Sequence, residues 1–508
     1  MGNFCSISLL CLTFISACAA LDTELIVSNA MIAPDGFAND AIVVNGNYPG
    51  PVLTAVKGER FQVNVTNVLV DESMNRSTSI HWHGINQYLS NEMDGTAMVT
   101  QCPIASGHSF VYNFMPVNQS GTFWYHSHLA LQYCEGLRGP IVIYDPLDPY
   151  LDMYDVDDTS TILTISDWYH MNPYDVPASA TPDAILINGR GRYEGGPSVP
   201  LSVLSVVQGK RYRIRLINMA CKPSFVFSID GHTFTVIEAD SENTLPLTVD
   251  SIPILAGQRY SLILNANQTV DNYWIRANPS NYDSTFAGGL NSAILQYEGA
   301  SERDPIDRDW ILSNPLAEHH LHALESPEAP GLPEAGGADV SLNLVSVWDS
   351  NMGKFLINGY SYTPPTTPVL MQILTGQLAA SQLQPYGSVY TLPANKIIEL
   401  SIPGGQPEGQ HPFHLHGHPF SVVRSAGSDV YNYQNPVRRD TTSNGIAGDN
   451  VTIRFRTDNS GPWLFHCHID WHLELGMAVV FAEDADSTSL SVTPDVAAWK
   501  QLCPNYDD

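Results

Sequence analysis

Seven residues near the C-terminus, His466-Cys467-His468-Ile469-Asp470-Trp471-His472, combine side chains that can bind metal and pass electrons. Neighbouring side chains on an extended strand point to opposite faces. Cys467 can therefore hold a metal on one face while His466 and His468 hold metal on the other. A third histidine, His472, follows five residues after the cysteine. One thiolate among imidazoles suits copper. The main chain between the two faces would then be a short covalent path from one metal site to the next.

Three other clusters carry the same residue type: His81-Trp82-His83-Gly84, His126-Ser127-His128 and His411-Pro412-Phe413-His414-Leu415-His416. Together the four places hold ten of the 17 histidines. A single H-x-H pair reads as an ordinary feature of a strand. Four clusters with a cysteine in one of them read as metal ligands.

These clusters need a scaffold, and the chain is long enough for one. Its 508 residues allow three domains of roughly 150 residues each. Apolar residues make up 44% and charged residues 15%, so a large core can form. The net charge of -29 argues against nucleic acid and anionic membranes as partners, since both recruit basic surfaces. Residues 1–20 combine an apolar run, Ile7–Ile15, with Ala17-Cys18-Ala19-Ala20, as a secretion signal does. No later segment is long and apolar enough to span a bilayer. The chain is expected to be secreted and, given its charge and sequons, monomeric.

Eight cysteines are present, of which Cys5, Cys11 and Cys18 fall in the leader and Cys467 in the metal cluster. Cys102, Cys134, Cys221 and Cys503 remain, an even number that suggests two disulfides in a secreted chain. Four cysteines permit three pairings, and spacing does not choose among them. Five sequons, at Asn64, Asn75, Asn118, Asn267 and Asn450, are candidate glycosylation sites.

Helical periodicity is scarce. Short β-rich runs recur between Gly, Pro and Asn: Ala41–Val44, Phe61–Val65, Thr161–Ile165, Tyr212–Ile217, Tyr260–Asn265, Ile397–Ile402 and Val451–Phe455. That pattern predicts an all-β chain of sandwiches or barrels. The expected units are 21–147, 148–303 and 339–508, with a Pro/Glu/Ala-rich linker over 304–338. The first and third units each carry H-x-H clusters and the second carries none, which hints at duplication of one sandwich.

In order and in flanking residues, the four clusters resemble the copper signatures of multicopper oxidases, in particular laccases of basidiomycete type. The resemblance rests on Ser79-Ile80-His81-Trp82-His83-Gly84, Gly121-Thr122-Phe123-Trp124-Tyr125-His126-Ser127-His128, His411-Pro412-Phe413-His414-Leu415-His416-Gly417-His418 and Gly461-Pro462-Trp463 leading into the heptad. It runs from about Leu25 to the C-terminus. It implies three cupredoxin-like domains (Greek-key β-sandwiches) and four copper ions. Type 1 copper would be held by His411, Cys467 and His472, and type 2 by His81 and His414. The type 3 pair would be held by His83, His126, His128, His416, His466 and His468. The cluster would lie between the first and third domains. The resemblance also implies the disulfides Cys102–Cys503 and Cys134–Cys221. The activity it implies is one-electron oxidation of phenols and aromatic amines, with four-electron reduction of O2 to water. An exposed edge of the type 1 imidazoles, His472 above all, would take up the electron. Asp94 and Asp470 match acids proposed in the family to supply protons.

Two residues depart from the family pattern. Met477, ten residues after Cys467, stands where fungal laccases often have Phe or Leu. Its thioether is expected to act as a weak axial ligand that lowers the type 1 potential; the plainer reading is core packing. Lys222, directly after Cys221, stands where many fungal laccases have an Asp beside the substrate. A charged lysine cannot accept the proton a phenol releases. His319, His320 and His322 are expected to be solvated linker residues, His108, His170 and His232 structural, and His418 a hydrogen-bonding neighbour of the third cluster. Competing readings are a bilirubin-type oxidase or ferroxidase on the same scaffold, or a copper-free binding protein. A ferroxidase needs acids beside the type 1 site, and Lys222 argues against it. The natural substrate stays open among lignin fragments, pigments and cell-wall phenols.

Overall fold

The β-rich runs expected from the sequence fall on strands, Asn39–Val44, Arg60–Asn67, Ile162–Trp168, Arg211–Asn218, Arg259–Asn265, Ile397–Pro403 and Asn450–Arg456, save that Thr161 closes the 3-10 turn before its strand. Alternation decides which face is buried. In Arg60–Asn67, Phe61, Val63 and Val65 are buried while Gln62 is exposed. The computed structural model describes residues 20–177, 180–222, 224–280, 285–308, 310–407, 409–492 and 497–507. The expected leader lies outside them except for Ala20, where the first strand, Ala20–Ile32, begins.

The first domain sets two four-stranded sheets around one core, which takes Phe61 and Val63 from one sheet and Trp82, Phe123 and Ile141 from the other. The middle domain has a six-stranded and a five-stranded sheet, and the last domain two five-stranded sheets besides a small hairpin. The first and last domains share a wiring. Leu53–Val56 runs parallel to Arg138–Tyr144, as Val389–Leu392 runs parallel to Ala478–Glu483. Next to these, Gly121–Ser127 pairs antiparallel with Ile80–His83, and Gly461–Cys467 with Pro412–Leu415. All four histidine clusters therefore occupy equivalent strand pairs, as duplication of one sandwich would produce. The chain is all-β with three cupredoxin-like domains.

Cys102 is bonded to Cys503 and Cys134 to Cys221. The first bridge fastens the C-terminal helix Leu502–Asp507 to the first domain, whose core also takes in Trp499 and Leu502. Trp499 Nε1 donates to the Thr100 carbonyl at 2.9 Å. Residues 304–338 do more than link. Pro315 and Ala323 bridge to Ser251 and Thr244, Leu316 and Leu321 are buried, and Glu318 pairs with Arg439 at 2.8 Å. His319 and His320 are exposed as expected, but His322 is half-buried and its Nδ1 donates to the Asn435 carbonyl. Bridging to the middle domain pulls the segment inward there. Among the described residues no helix is long and apolar enough to cross a membrane.

Candidate metal centre

Strand register brings the clusters together. His81 lies opposite His126 in one sheet, and His414 lies opposite His466 in another. Each H-x-H pair places both imidazoles on one face and turns the residue between them away. Trp82, Ser127, Leu415 and Cys467 are those intervening residues, and all four are buried. Eight imidazoles thus meet between the first and last domains: His81, His83, His126 and His128 from one, His414, His416, His466 and His468 from the other. His81 stacks on His416 with centroids 3.9 Å apart, and His83 on His414 at 3.8 Å.

Hydrogen bonds fix which ring nitrogen faces the centre. His81 Nδ1 donates to the Asp94 carbonyl (2.8 Å), His126 Nδ1 to Ser127 O (2.8 Å), His414 Nδ1 to Asp440 O (2.9 Å) and His466 Nδ1 to Cys467 O (2.9 Å). His416 Nδ1 donates to Asp94 Oδ2 at 2.9 Å. Locking one nitrogen to an oxygen and leaving the other bare is how metal-ligating histidines are oriented. The bare nitrogens are His81 Nε2, His126 Nε2, His128 Nε2, His414 Nε2 and His468 Nδ1, all buried without a hydrogen-bond partner. Elsewhere His416 Nε2 faces His466 Nε2 at 3.2 Å, and His83 Nδ1 faces His468 Nε2 at 3.1 Å. Burial and mutual repulsion hold His83, His126, His128, His416, His466 and His468 well below the usual imidazole pKa. They are neutral, the form that binds metal. Buried, neutral and orphaned donors of one type fit copper ions.

The second donor set lies on the far face of the same strand. His411 Nδ1 is 3.5 Å and His472 Nδ1 3.6 Å from Cys467 Sγ, and the two nitrogens are 3.0 Å apart. His411 Nε2 donates to the Pro407 carbonyl at 2.9 Å, which aims Nδ1 inward. The strand Gly461–Cys467 ends at the cysteine, and the short helix Asp470–Glu474 swings His472 back beside it. Cys467 is the free cysteine among the described residues. Met477 is fully buried in the same apolar cluster, its carbonyl accepting from Cys467 N at 3.1 Å. The expected exposed imidazole edge is corrected: His411 is 0% and His472 1% exposed. Packing explains it, since the Phe355 ring lies 4.9 Å from that of His472.

Asp94 is fully buried and touches the cluster twice, through His81 and His416, while Thr96 donates to its Oδ2 at 2.7 Å. Only glycine can follow it. Gly95 has φ +82°, and a Cβ there would lie 1.7 Å from the Ile80 carbonyl oxygen. Asp470 is buried, and burial with Glu474 and Asp167 pushes its carboxyl well above the usual range. That shift favours the protonated carboxyl, the form able to give a proton. A cavity of about 70 Å³, lined by Thr96, Met98, His128, Tyr362 and Glu474 among others, reaches the cluster at His128. Lys222 is half-buried, with Nζ 3.5 Å from the Ala180 carbonyl. The preceding Cys221 carbonyl accepts from Asp470 N at 2.9 Å, which ties the lysine's segment to the heptad.

His418 pairs with Glu483 at 2.7 Å, His170 with Asp35 at 2.7 Å, and His232 with Tyr297. Sequence reasoning missed Asp440. Its Oδ1 lies 3.2 Å from His83 Nε2 and 3.4 Å from His414 Nδ1. The only local signal was a run of three charges, Arg438-Arg439-Asp440, in a chain poor in them.

Multicopper oxidase family profiles match residues 26–148, 159–300 and 362–487. Laccase-2 of Pleurotus ostreatus is 54% identical over 496 residues, covering 95% of this chain and 92% of its own. Laccase-1 of Trametes villosa is 55% identical over 489 residues, covering 95% and 94%. The solved laccase of Botrytis aclada superposes with a TM-score of 0.84 at 32% identity, covering 96% and 92% of the two chains. The chain belongs to the multicopper oxidases and, within that family, to the laccases.

Proposed function

We propose that this laccase oxidises phenols and aromatic amines one electron at a time and reduces O2 to two waters with four electrons and four protons. One observation carries the reading: two wholly buried donor sets share a single strand, joined covalently through Cys467 and its neighbours His466 and His468. Four copper ions are assigned. His411, Cys467 and His472 would hold type 1, with the buried Met477 as a further weak ligand; His81 and His414 would hold type 2; His83, His126, His128, His416, His466 and His468 would hold the type 3 pair. Copper there supplies one-electron redox chemistry at the cysteine and a place for O2 at the histidine cluster.

The chain's own residues do the rest. The Cys467 main chain is the path between the sets. Asp94 keeps His416 Nδ1 and His81 Nδ1 turned outward. Asp470, inside the heptad, would supply a proton, and burial of both sets excludes bulk water. Lys222 stands at the substrate side, where it cannot take a phenol's proton while charged.

Metal analysis of the purified protein, with kinetics on 2,6-dimethoxyphenol, bilirubin and Fe(II) side by side, tests this reading. A blue protein with four copper ions per chain that favours the phenol is expected. A colourless protein, or one faster on Fe(II) or bilirubin, overturns it. The protein is further proposed to be secreted and monomeric, with a leader at 1–20, domains at 21–147, 148–303 and 339–508, and a connector at 304–338. N-terminal sequencing and sedimentation check this. Asn118 and Asn267 are exposed, whereas Asn64, Asn75 and Asn450 are only part-exposed and their side chains are hydrogen-bonded. Glycopeptide mapping should find the first two more fully occupied.

A further inference from the structure

We infer that Arg259, in a middle domain that supplies none of the clustered imidazoles, is a positioning residue for the histidine cluster. The inference rests on the proposed assignment of His83 and His414 as copper ligands.

Arg259 opens the strand Arg259–Asn265 and is fully buried. Its guanidinium grips Asp440 with both arms, Nη1 to Oδ1 and Nη2 to Oδ2, each at 2.7 Å. Nε donates to the Thr122 carbonyl of the first domain at 3.1 Å, and Nη1 also donates to the Gly257 carbonyl at 3.1 Å. One side chain of the second domain thus holds the first and the third. Asp440 passes the constraint on. Its Oδ1 lies 3.2 Å from His83 Nε2, and its carbonyl accepts from His414 Nδ1 at 2.9 Å. It thereby touches one imidazole from each of the two domains that must meet.

Two glycines clear the space. Gly84 has φ +92°, and a Cβ there would lie 2.4 Å from Arg259 Nη2. Gly257 has φ +87°, and a Cβ there would lie 3.0 Å from His468 Cδ2 and 3.1 Å from His83 Cε1. Behind the arginine, Asp240 accepts from the Arg259 amide at 2.8 Å and from Arg439 Nε at 2.9 Å.

Stability alone explains this arrangement poorly, because a buried ion pair is often no better than apolar residues of the same volume. What the guanidinium supplies is direction. A planar fork fixes a carboxylate in plane and in rotation, which a lysine cannot do. Groups that orient metal-bound histidines are typically worth 10–100-fold in metal affinity.

The test uses the copper-loaded enzyme and the variants Arg259→Gln, Arg259→Lys and Asp440→Asn, the last nearly isosteric and expected to fold. Copper retained against a chelator, the blue absorption of the Cys467 set and the unfolding midpoint are read together. Arg259→Gln and Asp440→Asn should weaken retention at the histidine cluster by about 10–100-fold while blue absorption per chain stays at the wild-type level. KM for the phenol should hold while kcat falls. Arg259→Lys should restore little, since charge without the fork does not orient Asp440. Cluster copper held as tightly as in wild type overturns the inference, and so does parallel loss of both sets with a lowered midpoint. His83→Ala is the separate control: full cluster copper in that variant overturns the ligand assignment instead.

Discussion

The backbone amide of Cys467 donates to the carbonyl of Met477 at 3.1 Å, and the Met477 amide donates to the carbonyl of His472 at 2.9 Å. Met477 is therefore fastened to two members of the cysteine set, and it is fully buried in the same apolar cluster as Cys467. A thioether held there can act as a weak axial ligand. Replacing it by leucine conserves volume and costs less than about 1.5 kcal/mol. Redox titration should show the type 1 potential rising by tens of millivolts in Met477→Leu and Met477→Phe. An unchanged or lower potential in both would leave methionine as packing only.

Lys222 adjoins Cys221, which is bonded to Cys134 and accepts from Asp470 N. On the proposed placement of Lys222 at the substrate side, Lys222→Asp would put a proton acceptor beside the phenol. The pH optimum for a phenol should move, while that for a substrate losing no proton stays. Identical profiles for wild type and variant would remove Lys222 from the substrate site.

Glu135 is 3% exposed and neither carboxylate oxygen has a hydrogen-bond partner. Burial, with Asp71 adding, pushes its pKa from 4.5 up to about 8. The folded chain thus keeps a proton that the unfolded chain releases, so its contribution to stability is full below about pH 4.5 and is lost as pH rises to about 8. The loss is on the order of 5 kcal/mol. Glu135→Gln should flatten the fall of the melting temperature across that window. Parallel curves for the two proteins would show that the carboxyl is ionised throughout.

The Cys102–Cys503 bond closes a loop with a sequence separation of 401 residues. Cys503→Ser should destabilise by about 2–5 kcal/mol and free the Leu502–Asp507 helix from the first domain. Denaturant titration gives the loss, and limited proteolysis should cut near residue 500 first. Unaltered stability would mean that Trp499 and its bond to Thr100 hold the tail without the disulfide.

The histidine clusters were legible because a metal-binding strand writes its ligands at alternate positions, and four such places stand out in one chain. Strands were legible from the β-branched runs, and the duplication from the placement of H-x-H pairs. What stayed hidden acts through space. Arg259 and Asp440 are 181 positions apart and meet only when three domains are in place. His472 was legible as a partner of Cys467, but not the helical turn Asp470–Glu474 that returns it to the cysteine. The burial of His411 and His472 depends on Phe355, which no local pattern connects to them.

A cluster split between the first and last sandwiches also sets the order of events at the ribosome. The first domain emerges with His81, His83, His126 and His128 while its counterpart does not yet exist. At about 5–20 residues per second, the roughly 290 residues between His128 and His414 take about 15–60 seconds to make. Throughout that interval the first domain holds only its own four imidazoles, without those of the last domain. A protein truncated before His414 lacks all the opposing imidazoles, and one truncated before His468 lacks at least one of them.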